Sequence, residues 1–172
     1  IGSLGANAQT VLFEDNFDSY TNFAKASVGN WTLTDVDLRP TYGFGGGTTF
    51  TNSGTAMAYI VFNSTAVTPA LVPSATSNWA ARSGQKAMAC IAAVPNASFP
   101  TNDDWLITPQ FTVPSNGQLS FFAKSASNGV HGSTYKVMLS TTTQNQASFT
   151  TTLATFTELE IQNLPFEQFF VS

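Results

Sequence analysis

Short β-branched and aromatic runs recur along the chain, separated by clusters of Gly, Asn, Ser and Pro. In Gln118-Leu119-Ser120-Phe121-Phe122-Ala123-Lys124 and Tyr135-Lys136-Val137-Met138-Leu139-Ser140 apolar and polar positions alternate, the period of a strand with one buried face. No stretch keeps apolar residues at helical spacing over three turns. The pattern predicts strands at Thr10–Phe17, Asn30–Val36, Met57–Phe62, Gln85–Ala93, Asp104–Pro109, Gly117–Ser125, Thr134–Ser140, Ser148–Phe156 and Phe166–Val171. That many short strands at this length predict an all-β fold, a two-layer antiparallel sandwich of jelly-roll type. Two connections are long, Arg39 to Ser53 and Asn63 to Trp79, and loops of that length are functional or mobile. Gly45-Gly46-Gly47 lacks a following Lys-Ser/Thr and an αβ setting, so it reads as a turn and not a phosphate cradle.

Composition narrows the class. At 172 residues the chain suits one domain with a real core. Only 9% of its residues are charged, against a usual value of about 25%, and Ser, Thr, Asn and Gln take their place. With 15 Phe, 4 Tyr and 3 Trp, the mix reads as an extracellular β-protein with a neutral polar surface. Six scattered cations and a pI near 4.6 argue against nucleic acid, which needs a basic stripe. No apolar run approaches the roughly 20 residues of a membrane-spanning helix. Cys90 is the single cysteine, expected as a buried structural thiol. Ala6-Asn7-Ala8 before Gln9 fits the small-x-small pattern of signal-peptide cleavage. Residues 1–8 therefore read as a signal-peptide end or flexible terminus, and 9–172 as a single domain.

Charge placement raises the first chemical question. Three of the ten acidic residues, Glu14, Asp15 and Asp18, crowd into Leu12-Phe13-Glu14-Asp15-Asn16-Phe17-Asp18, and Asp103-Asp104 form a second pair. No Lys or Arg lies in either cluster. Carboxylates beside apolar strand residues repel and desolvate badly unless a cation neutralises them, and Ca²⁺ takes such oxygen ligands. Glu14 and Asp104 are the leading metal candidates, with Asp15, Asn16 or Asp18 assisting. The alternative makes Asp15 and Asp18 solvated turn residues and Glu14 an acceptor of backbone hydrogen bonds. Asp35 and Asp37, two apart on one strand face, could serve a glycosidase but read better as a solvent face or turn. His131 is the lone histidine, so no histidine-based metal-hydrolase site can be built around it. Among aromatics, Tyr42, Phe44 and Trp79 lie in or beside the long loops and are the candidates for a ligand platform. No catalytic residue is assigned.

Five segments then occur in a telling order: Val11-Leu12-Phe13-Glu14-Asp15-Asn16-Phe17-Asp18, Asn30-Trp31-Thr32-Leu33-Thr34-Asp35-Val36-Asp37, Trp79-Ala80-Ala81-Arg82-Ser83-Gly84-Gln85-Lys86, Asn102-Asp103-Asp104-Trp105-Leu106-Ile107-Thr108-Pro109 and Leu119-Ser120-Phe121-Phe122-Ala123-Lys124-Ser125. From about Gln9 to Ser140 the chain resembles the cleaved-adhesin or choice-of-anchor J domains of Bacteroidetes surface proteins, and more distantly the MAM domain. The resemblance implies a jelly roll with structural Ca²⁺, type IX secretion, and a secreted or cell-surface life. It also implies closing strands with an Asp-Asp motif, and Phe166-Glu167-Gln168-Phe169-Phe170-Val171-Ser172 stops where these are expected. Fold resemblance alone names no ligand.

The expectation is a secreted, calcium-stabilised, non-catalytic adhesion module for a surface glycan or protein. Two alternatives stand beside it. One is a structural subunit of a surface assembly, or type IX secretion cargo, whose partners are further copies of itself or the secretion machinery. The other is an accessory domain of a larger secreted hydrolase.

Overall fold

The computed structural model describes residues 10–127, 132–157 and 166–171. They form eight strands and two single 3-10 turns, with no α-helix among the described residues. The strands are β1 Thr32–Asp35, β2 Ile60–Phe62, β3 Ala87–Ala89, β4 Asp104–Ile107, β5 Leu119–Ala123, β6 Thr134–Leu139, β7 Thr151–Thr157 and β8 Glu167–Val171. All pair antiparallel, as β1 with β4, β2 with β3, β5 with β8 and β6 with β7. The fold is thus all-β, as the alternation predicts, and the pairs fit a sandwich. Among the described residues the four pairs are separate two-stranded sheets, and isolated bridges such as Thr41 to Ala93 and Ser77 to Ser127 join residues outside the strands, so the continuous jelly-roll order stays an expectation.

One expected strand does not form. Thr10–Phe17 carries no strand, because its polar side chains capture the backbone locally. Asp15 Oδ1 accepts from Phe17 N at 2.8 Å and Asn16 Oδ1 from Asp18 N at 3.1 Å, and Phe17 sits at a φ of 64°. Such Asx turns compete directly with a sheet ladder.

The core gathers around β2, whose three residues are all buried. Phe23, Met57, Ile60, Phe62, Val67 and Ile91 form its centre, flanked by Phe44, Phe50, Leu71, Trp79 and Ala89. Aromatic rings fill much of it in tilted, stacked and edge-on pairs, with centroids 5.1 Å apart for Phe23–Phe50 and Phe62–Trp79; such pairs add to the gain from area burial. Backbone bonds from Phe23 N to Val61 O (2.7 Å) and Val61 N to Ala24 O (2.9 Å) hold the preceding loop against β2. A second aromatic cluster joins the two C-terminal pairs, Phe121 of β5 and Phe169 of β8 meeting Tyr135 of β6 and Phe156 of β7. Between the pairs lies an open interior of about 3050 Å³, with Phe62, Trp79, Ile91, Trp105, Ile107 and Phe121 on its walls.

Candidate functional site

The register of β1 and β4 sets the acidic end of the molecule. Leu33 faces Leu106 and Thr34 faces Trp105, so Asp35 must face Asp104. Directly opposed like charges destabilise a strand pair. The turn after β1 adds a third carboxylate, because Asp37 Oδ2 accepts from Asp103 N at 2.8 Å and its Oδ1 from Arg39 N at 2.9 Å. Asp35 Oδ1 accepts from Leu38 N at 2.6 Å. One carboxylate oxygen from each of Asp35, Asp37 and Asp104 lies within 4.8 Å of the others.

Asp104 is the carboxylate of the cluster whose surroundings disfavour its charge. Its Oδ2 accepts from Asn102 Nδ2 at 2.9 Å and from the Cys90 thiol at 3.6 Å, while its buried Oδ1 has no hydrogen-bond partner. Burial raises its pKa most, and Asn102 acts against it by hydrogen-bonding the ionised form. The charges of Asp37 and then Asp35 raise it further, leaving it at about 7. Among the described residues no lysine or arginine side chain bonds any of the three carboxylates. Cys90 is not the buried thiol expected from its apolar surroundings, since its surface is exposed and it lines the open interior. Protein on its other sides, and then Asp104, push the thiol above its usual pKa.

The acidic segment before β1 is held differently. Asp15 Oδ2 accepts from Tyr20 Oη at 2.5 Å and from Trp31 Nε1 at 2.7 Å, which raises the Tyr20 pKa, chiefly through that hydrogen bond. Asp18 Oδ1 accepts from Gln85 N at 2.9 Å and Lys86 N at 3.0 Å. Lys86 Nζ donates to the backbone oxygens of Asp18 (2.8 Å) and Tyr20 (2.5 Å). The three-carboxylate cluster thus contains Asp104 but none of Glu14, Asp15 or Asp18. Glu14 and Asn16 are exposed and help line an open cleft of about 690 Å³ with Ser19, Arg82, Ser120 and Phe122. Arg82 Cζ sits 3.5 Å from the Phe122 ring centroid.

The candidate platform aromatics separate in the same way. Tyr42 is 51% exposed. Phe44 and Trp79 come together, with centroids 4.7 Å apart, but they pack on the core. Trp31 packs among Phe13, Phe17 and Asp15, and Trp105 bonds Asp103 Oδ1 at 2.7 Å. His131 and residues 1–8 lie outside the described residues. In the sequence, spacing pairs Asp35 and Asp37 but reads as a solvent face or turn; Asp37 lies in the turn beyond β1 and is buried, and only the β1–β4 register brings Asp104 to the pair. Nothing in the local sequence marked Arg82 or Phe122.

No described helix is long and apolar enough to cross a membrane. A family model described as the Cleaved Adhesin Domain matches residues 67–164, more than half of the chain. No curated protein and no solved structure matches it.

Proposed function

Because the chain belongs to the cleaved-adhesin domain family, we propose that it is a secreted or surface-held adhesion module. It binds a carbohydrate or protein ligand without catalysis and is stabilised by calcium. The family match carries the adhesive reading. Its absence of chemistry is part of the proposal, as is its extracellular place.

The calcium part rests on the end of the β1–β4 pair. Asp35, Asp37 and Asp104 supply hard oxygen donors close enough to share one ion, and Ca²⁺ takes six to eight such ligands. The unpartnered Asp104 Oδ1 supports a cation there, because a buried carboxylate oxygen without a partner is costly. The ion offsets the repulsion between facing Asp35 and Asp104, and so clamps β1 to β4. This ligand set keeps Asp104 from the sequence expectation and replaces Glu14, Asp15, Asn16 and Asp18 with Asp35 and Asp37.

Direct binding tests the adhesive role. The labelled chain should bind glycan- or glycoprotein-coated surfaces saturably in calcium buffer. Failure on both, with the chain folded, overturns it. One observation favours a second reading, a subunit of a surface assembly: each described strand has a single ladder partner, and open sheet edges recruit strands. Light scattering separates the two, since ordered polymers at micromolar concentration support the subunit and a stable monomer supports the module.

A further inference from the structure

We propose that the cleft between the 14–19 segment and β5 is a subsite for a neutral saccharide, held between Glu14 and Arg82. The proposal rests on the adhesive reading and narrows its ligand. At about 690 Å³ the cleft falls within the roughly 300–1,000 Å³ usual for small-molecule sites. Of its three charged side chains, Glu14, Asp15 and Arg82, two are uncommitted to hydrogen bonds. Among the described residues the Glu14 carboxylate accepts no hydrogen bond and the Arg82 guanidinium donates none, its one described contact being the Phe122 ring. With its Cζ over the ring at 3.5 Å from the centroid, the guanidinium is held at the cleft wall by a cation–π contact that uses none of its five N–H donors.

The cleft is therefore a matched set of donors and acceptors on a partly apolar floor. Arg82 and the Asn16 amide donate, Glu14 accepts, and the Ser19 and Ser120 hydroxyls do either. Phe122 is 37% exposed and adds apolar surface. A further wall residue, Asp15, already accepts from Phe17 N, Tyr20 Oη and Trp31 Nε1. An anion would meet the Glu14 and Asp15 charges, and a cation would meet Arg82. A neutral polyol meets neither penalty, and adjacent sugar hydroxyls can each donate to Glu14 while accepting from Arg82 or Asn16.

The test is a glycan array carrying neutral, sialylated and sulfated oligosaccharides, followed by calorimetric titration of the best neutral binder. The chain, Glu14→Gln and Arg82→Gln are compared in calcium buffer, with melting curves confirming that each variant folds. The expected result is binding of a neutral oligosaccharide that each variant weakens at least tenfold, about 1.4 kcal/mol. Neutral binding unchanged in both variants overturns this site and leaves the adhesive reading intact. Binding confined to acidic glycans overturns the neutral assignment. Binding to protein-coated surfaces but to no glycan also overturns it, again sparing adhesion. Absence of binding to either kind of surface removes the adhesive reading and the subsite together.

Discussion

Asp104 concentrates the argument at the scale of single residues. One oxygen is satisfied by Asn102 and Cys90, the other is buried without a partner, and Asp35 faces it across the ladder. In calcium buffer the parent chain should melt about 5–10 °C higher than in excess chelator, the shift expected for an ion at about 100 times its Kd on a domain this size. Asp104→Asn should abolish that gain, and in chelator it should melt no lower than the parent, since a like-charge contact is gone. Glu14→Gln should keep the full gain. Loss of the gain in Glu14→Gln alone would move the ion to the 14–18 segment. Differential scanning calorimetry of the three proteins decides between the sets. The crowding of carboxylates was legible in the sequence because charge is so scarce in it. Their partners were not, since Asp103 N and Asp37 Oδ2 meet across 66 positions, through strand register rather than local spacing.

At the scale of elements, the expected strand at Thr10–Phe17 shows where residue type alone misleads. Its Val11-Leu12-Phe13 run suits a strand, yet Asp15, Asn16 and Asp18 divert the backbone into turns and tie it to Tyr20, Trp31 and the 84–86 loop. Gly84 makes that tie possible. Its φ is 63° and a Cβ there would fall on the Asp18 carboxylate. Gly84→Ala should cost about 1–3 kcal/mol, seen as an earlier denaturant midpoint with unchanged slope. The neighbouring Tyr20 provides a pH signature. Its pKa is raised because the neutral phenol donates to Asp15. That stabilisation is complete below the ordinary tyrosine value near 10 and is lost as pH climbs through the higher folded value. Melting scans from pH 8 upward should therefore fall more steeply for the parent than for Tyr20→Phe. Equal slopes would refute the link. Each of the other eight expected strands coincides with a described strand, because β-branched and aromatic runs suit the extended backbone of a sheet. Their trimmed ends follow from flanking Asn, Ser and Gly, which serve turns.

At the scale of the whole molecule, an aromatic core around Phe62 carries stability, while the proposed roles of the acidic end and the 14–19 cleft are a calcium clamp and a ligand subsite. Phe62 is buried against Phe23, Phe44, Phe50 and Trp79, so Phe62→Ala should cost about 3–5 kcal/mol and lower the Tm by about 10 °C or more. The all-β class and the family were readable from motif order. The division of candidate aromatics into core Phe44 and Trp79 and exposed Tyr42 was not, because it depends on how the long loops fold back over β2. Adhesion supported by a calcium clamp is the central claim, and surface binding under calcium control tests it most directly. Equilibrium binding of the labelled chain to glycoprotein-coated surfaces should saturate in calcium and weaken sharply in excess chelator and in Asp104→Asn. A folded chain that fails to bind in calcium, or binds equally well in chelator, would contradict the account.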